Sequence, residues 1–152
     1  MHTARHDNLV DAIPSAPGSP GTEDEPPTRT SWHFPHQLES VSAARRTAVS
    51  ATRKWHLGQD TTHNLRLVVS ELVTNAVLHA APPVVLHLRH EPQTRHLWVG
   101  VTDGGGAAAA ARAPLPDDEH GRGLFLVTAV ADDTGAEPAD CGTTWWARLS
   151  TA

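Results

Sequence analysis

A lone cysteine, Cys141, leaves this chain of 152 residues without a partner for an internal disulfide, which fits a reducing compartment. No apolar run approaches the roughly 18 residues that a membrane helix needs, and the N-terminal segment lacks the apolar centre of a signal peptide. The expectation is a cytoplasmic protein with no membrane partner. Positive charge is scarce: 12 Lys and Arg against 17 Asp and Glu give a net charge of -5 and a pI near 6.1. That balance argues against a general nucleic-acid or anionic-membrane binder, although it leaves room for local basic patches. The glycine–lysine pattern of a P-loop is absent, as is the regular βαβ alternation of a parallel Rossmann sheet. The 11 His are scattered without an evident metal-binding pair outside residues 71–79, which speaks against a zinc site.

What is present suits one domain: the length allows a sizeable core, and 39% of residues are hydrophobic. Residues 1–30 hold five prolines, an acidic run Glu23-Asp24-Glu25 and few large apolar side chains. Such a segment is expected to be a disordered tail, with the folded domain spanning 31–152. Trp32 and Phe34 alternate as in a strand. Leu38, Val41, Ala44, Ala48, Thr52 and Trp55 then recur at helical spacing. After Leu57-Gly58, Asp60 or Thr61 is placed to cap a helix from about Thr62 to Ala80, which Pro82-Pro83 stops. Val84, Leu86 and Leu88, then Leu97, Val99 and Val101, alternate as the strands of a hairpin. A long glycine- and alanine-rich loop follows, then a helix over Gly123 to Ala131, and a last strand with Trp145, Ala147 and Leu149 on one face. Helices and mostly antiparallel strands in this order predict an α+β two-layer sandwich, a mixed sheet with helices on one face.

Within the second helix, Glu71, Asn75 and His79 recur every four residues and form a polar line along an otherwise apolar surface. Spacing alone reads equally well as a solvated edge or as the floor of a site. Asp103 closes a strand and precedes Gly104, Gly105 and Gly106, where free backbone rotation lets a flat ligand approach while the carboxylate accepts a hydrogen bond. A simple Asp-Gly turn has the same signature. Gly121 and Gly123 open the next helix and leave backbone N–H groups at its positive end, where phosphate oxygens bind.

Taken in order, "ELVTNAVLH", "VTDGGG", "GRGLFLV" and "GTTWWARL" resemble the ATP-binding domain of the gyrase, heat-shock-90, histidine-kinase and MutL superfamily (GHKL). Within it they look most like the actinobacterial anti-sigma-factor serine kinases. The resemblance covers about Trp32 to Leu149. It implies ATP and Mg²⁺ as ligands, with Asn75 as the metal ligand, Glu71 as the acid that polarises the attacking hydroxyl, and His79 near the phosphates. Asp103 would accept from the adenine amino group, with Gly105 beside it. Gly121, Arg122, Gly123 and Leu124 would form the phosphate-binding helix start, and Thr144 would help fix the adenine. The superfamily's D-x-G-x-G ends here in Ala107, so its second glycine is missing.

The resemblance implies an anti-sigma factor with serine/threonine-protein kinase activity on an antagonist partner. Its partners would be a sigma factor or that antagonist, without direct nucleic-acid contact, and a homodimer is compatible. The alternative is a non-catalytic ATP-binding regulator that holds a partner. The detached catalytic domain of a histidine kinase ranks third, because no dimerising helices that present a phosphoacceptor histidine are visible.

Overall fold

The computed structural model describes residues 28–105 and 119–151. The tail before Thr28, and most of the loop after Asp103 with Ala107 and Arg112, lie outside the described residues. Among those described, the order is β1 (Thr28–Phe34), α1 (Glu39–Lys54), α2 (Gln59–His79), β2 (Val84–Glu91), β3 (His96–Asp103), α3 (Glu119–Val130), β4 (Asp133–Ala139) and β5 (Gly142–Ser150). The five strands form one sheet in the order β1-β2-β3-β5-β4, and all four pairings are antiparallel. The expected α+β sandwich is present, with an antiparallel rather than mixed sheet.

Strand parity sorts the sheet into two faces. Leu86, Leu88, Leu97, Val99, Val101, Ala147 and Leu149 face the helices and meet Leu65, Val68, Val69, Leu72, Val73 and Ala76 of α2 in the core. Each such leucine or valine removed from water contributes about 1.5–3 kcal/mol. The opposite face carries Arg89, with its guanidinium 4.9 Å from the centre of the Trp98 ring, and the Trp98 indole N–H donates to Glu91 at 3.0 Å.

α1 buries Ala44, Ala48 and Ala51 on α2. Its start is fixed by the Ser40 hydroxyl, which donates to the Pro35 carbonyl at 2.5 Å. α2 begins at Gln59, three residues before the expected start, because Gly58 in extended conformation serves as the N-cap with no side-chain cap. The Thr61 hydroxyl donates instead to the Ser150 carbonyl at 3.1 Å and ties the helix to β5. No helix among the described residues is long and apolar enough to cross a membrane.

Candidate functional site

The polar line of α2 faces α3, and the space between them is a cavity of about 100 Å³ lined by Glu71, Thr74, Asn75, Leu78, His79, Gly123 and Leu124. Periodicity explains how four of these meet: Glu71, Asn75, Leu78 and His79 occupy successive turns of α2. Asn75 is only 7% exposed, and its side-chain oxygen finds no hydrogen-bond partner among the described residues. Leaving such an acceptor unmet costs about 1–3 kcal/mol, so the position asks for a ligand. Glu71 lies against Gly123, where an added Cβ would run into the carboxylate. A glycine is therefore what lets α3 approach the acid. The side chain of Arg122 and the surroundings of Gly121 lie outside the described residues.

Just past the C-terminal end of α2, Asp103 is 2% exposed. Its carboxylate accepts from Gly105 N–H at 2.7 Å, and also from the Trp145 indole and the Thr143 N–H. Burial nevertheless dominates and pushes its pKa above the ordinary value, because stripping water from the anion outweighs those donors. Gly105 turns the chain with φ 54°, a region that suits glycine. Its carbonyl accepts from Ala81 N–H at 3.3 Å, and Gly104 N–H donates to the Ala81 carbonyl at 2.7 Å. The aspartate loop is thereby pinned to the end of α2. His36, from the β1–α1 turn, reaches the same corner and bonds the Ala80 carbonyl through Nε2 at 2.7 Å.

Thr144 lies away from this corner. It pairs with Thr102, and the two hydroxyls share a hydrogen bond of 2.6 Å on the face away from the helices. Thr102 also bonds His87 Nε2 at 2.8 Å, and His87 Nδ1 bonds the Ser31 hydroxyl at 2.8 Å. Thr144 thus belongs to a buried polar chain across the back of the sheet. Thr143 is the residue opposite Asp103, and a Cβ added at Gly105 would lie 3.7 Å from its hydroxyl. The sequence held the signal: the parity that puts Trp145, Ala147 and Leu149 on the helix face puts Thr143 there too. His36, Thr143 and Trp145 stand around Asp103, and motif reading named none of them for the candidate site.

The sequence profile of the histidine kinase-like ATPase domain matches residues 34–149. The chain belongs to that family. Comparison with curated proteins gives no match. Among solved structures, the RsbU and RsbW domains of Rv1364c from Mycobacterium tuberculosis superpose with a TM-score of 0.61 at 15% identity, over 80% of this chain. This histidine kinase-like ATPase domain spans 32% of that chain's length. At that identity the likeness shows the fold. The family implies ATP binding, and the cavity at Asn75 is where this chain's chemistry fits the cation that usually accompanies it. Mg²⁺ commonly takes one or two protein oxygens and fills its shell with phosphate and water. An unmet buried amide oxygen suits that need.

Proposed function

We propose that the protein is an ATP-binding regulator of the anti-sigma-factor type, actinobacterial in pattern, with serine-protein kinase activity on an antagonist partner. The observation that carries this reading is the buried, unpartnered Asn75 oxygen one turn from Glu71 and across the cavity from Gly123. Bound ATP with Mg²⁺ would supply the transferable phosphoryl group and the charge that neutralises it. Asn75 would hold the cation through its side-chain oxygen. Asp103 would accept from the adenine amino group with the carboxylate capacity its three donors leave free, and Thr143 would contact the same ring. The backbone of α3 near Gly123 would meet the phosphates. Glu71, half-exposed at the cavity, would take the proton from an incoming serine hydroxyl as its oxygen bonds phosphorus and the leaving oxygen departs with ADP. The protein-holding reading keeps every one of these contacts except the proton transfer.

Thermal melting tests the binding step. ATP with Mg²⁺ at about a hundred times Kd stabilises the folded state by roughly 2.7 kcal/mol, which raises Tm by several degrees for a domain of this size. Asn75→Ala is expected to abolish the part of the shift that EDTA removes from wild type. An undiminished Mg²⁺-dependent shift in that variant would exclude Asn75 as the metal ligand.

A further inference from the structure

The solvent side of the α1–α2 pair carries two adjoining hollows of about 490 and 600 Å³, which share Val49, Arg53 and Arg66. Arg45, Arg46 and Arg53 stand on the exposed side of α1, and Arg66 faces them from α2. At 1.5 Å per residue, Arg45 and Arg53 are separated by about 12 Å along the helix. None of the four has a carboxylate at ion-pair distance among the described residues. Among the described residues, Arg45 and Arg46 reach the hydroxyls of Ser70, at 3.3 Å, and Ser42, at 2.7 Å. No acidic side chain lines either hollow, in a chain whose net charge is -5. Surfaces that serve only solubility intersperse the two signs, whereas four guanidiniums around one groove repel one another and attract an anion.

We propose that the α1–α2 groove docks an acidic segment of a protein partner, with carboxylates on the four arginines and an apolar side chain on the half-buried floor of Val49 and Leu57. Guanidinium forks match carboxylates with paired hydrogen bonds, which gives orientation as well as attraction. Nucleic acid is disfavoured, since the molecule as a whole is negative and the two hollows are lined by no Phe, Tyr or Trp on which a base would stack. The inference specifies the chemistry of the partner in the regulatory reading above. It rests on the groove alone, so a failed nucleotide assignment would leave it standing. The groove and the nucleotide cavity nonetheless share one helix, with Arg66 and Glu71 little more than a turn apart.

The probe is a fluorescein-labelled ten-residue peptide of glutamates interrupted by two leucines, titrated with the full chain and read by anisotropy. Wild type is expected to bind it, more weakly as salt rises. Arg45→Glu with Arg53→Glu should weaken binding roughly tenfold or more while the ATP-induced thermal shift persists. Arg45→Gln with Arg53→Gln should fall between, and Arg95→Glu, at the exposed β2–β3 turn, should bind like wild type. Absence of peptide binding by wild type overturns the proposal, as does equal binding by the arginine variants. Tighter binding of a ten-nucleotide thymidine strand through the same arginines would also overturn it, in favour of a nucleic-acid groove.

Discussion

Glu71 and Asn75 lie one turn apart on α2, but changing each should fail in a different way. Glu71→Gln keeps the size and reach of the side chain and removes the charge that would take a proton. ATP should bind as before, while phosphate transfer to a co-purified partner falls by about 10² to 10⁴. Transfer assayed with labelled ATP decides between kinase and holder: equal rates in wild type and variant would remove Glu71 from the reaction. The two threonines of β5 separate along another axis. Thr143→Val deletes a hydroxyl facing Asp103 and should weaken ATP binding about tenfold without loss of stability. Thr144→Val breaks the buried chain through Thr102 and His87. It should cost about 1–3 kcal/mol in urea denaturation and leave the Kd for ATP unchanged. The reverse pattern would favour Thr144, the threonine that motif order suggests, as the residue that meets the nucleotide. Motifs point to β5, but only the two-residue period of a strand tells which of two neighbouring threonines shares a face with Asp103.

At the scale of elements, α3 packs on the core through Leu124, Val127 and Val130 and comes closest to the acid of α2 at Gly123. Gly123→Ala would raise helix propensity by about 1 kcal/mol, yet its Cβ would displace the Glu71 carboxylate. Glu71 is half-exposed and ends a flexible side chain, so the carboxylate can swing aside. Stability is therefore expected to hold or rise slightly while phosphate transfer falls and ATP remains bound. A marked loss of stability would show that α3 itself had been pushed off α2. The elements legible from sequence were those with a strong period: α2 with its apolar surround, and the β2–β3 hairpin with its alternation. β4 gave no such signal. Its sequence, DTGAEPA, is half-buried at best because the strand lies at the sheet edge, where Pro138 is tolerated and neither face needs to be apolar. The start of α2 was misplaced for a related reason, since the hydroxyl that looked like a cap is used in a contact 89 residues away, at Ser150.

For the molecule as a whole, Asp103 links folding to the proposed function. Its carboxyl holds a proton to higher pH in the folded chain than its ordinary 3.8, because burial penalises the anion more than Gly105, Trp145 and Thr143 compensate. Between 3.8 and that raised value the folded state binds more protons than the unfolded one. Stability contributed by this group therefore falls as pH rises through the window, with the penalty complete above it and absent below 3.8, where both states are protonated. A residue that weakens the apo protein at neutral pH is what a site selected for an adenine amino group would retain. Asp103→Asn removes the titration. Its amide meets the same donors at a cost that does not change with pH, so the slope of the difference carries the prediction. Urea midpoints of wild type and Asp103→Asn, measured from about pH 7 down to about pH 4, should shift in favour of wild type as the solution is acidified. The ATP-induced thermal shift at neutral pH should be lost in the variant. A difference in midpoint that stayed constant with pH would mean that Asp103 is no more reluctant to ionise than a solvated carboxylate, and an intact ATP shift would detach it from nucleotide binding.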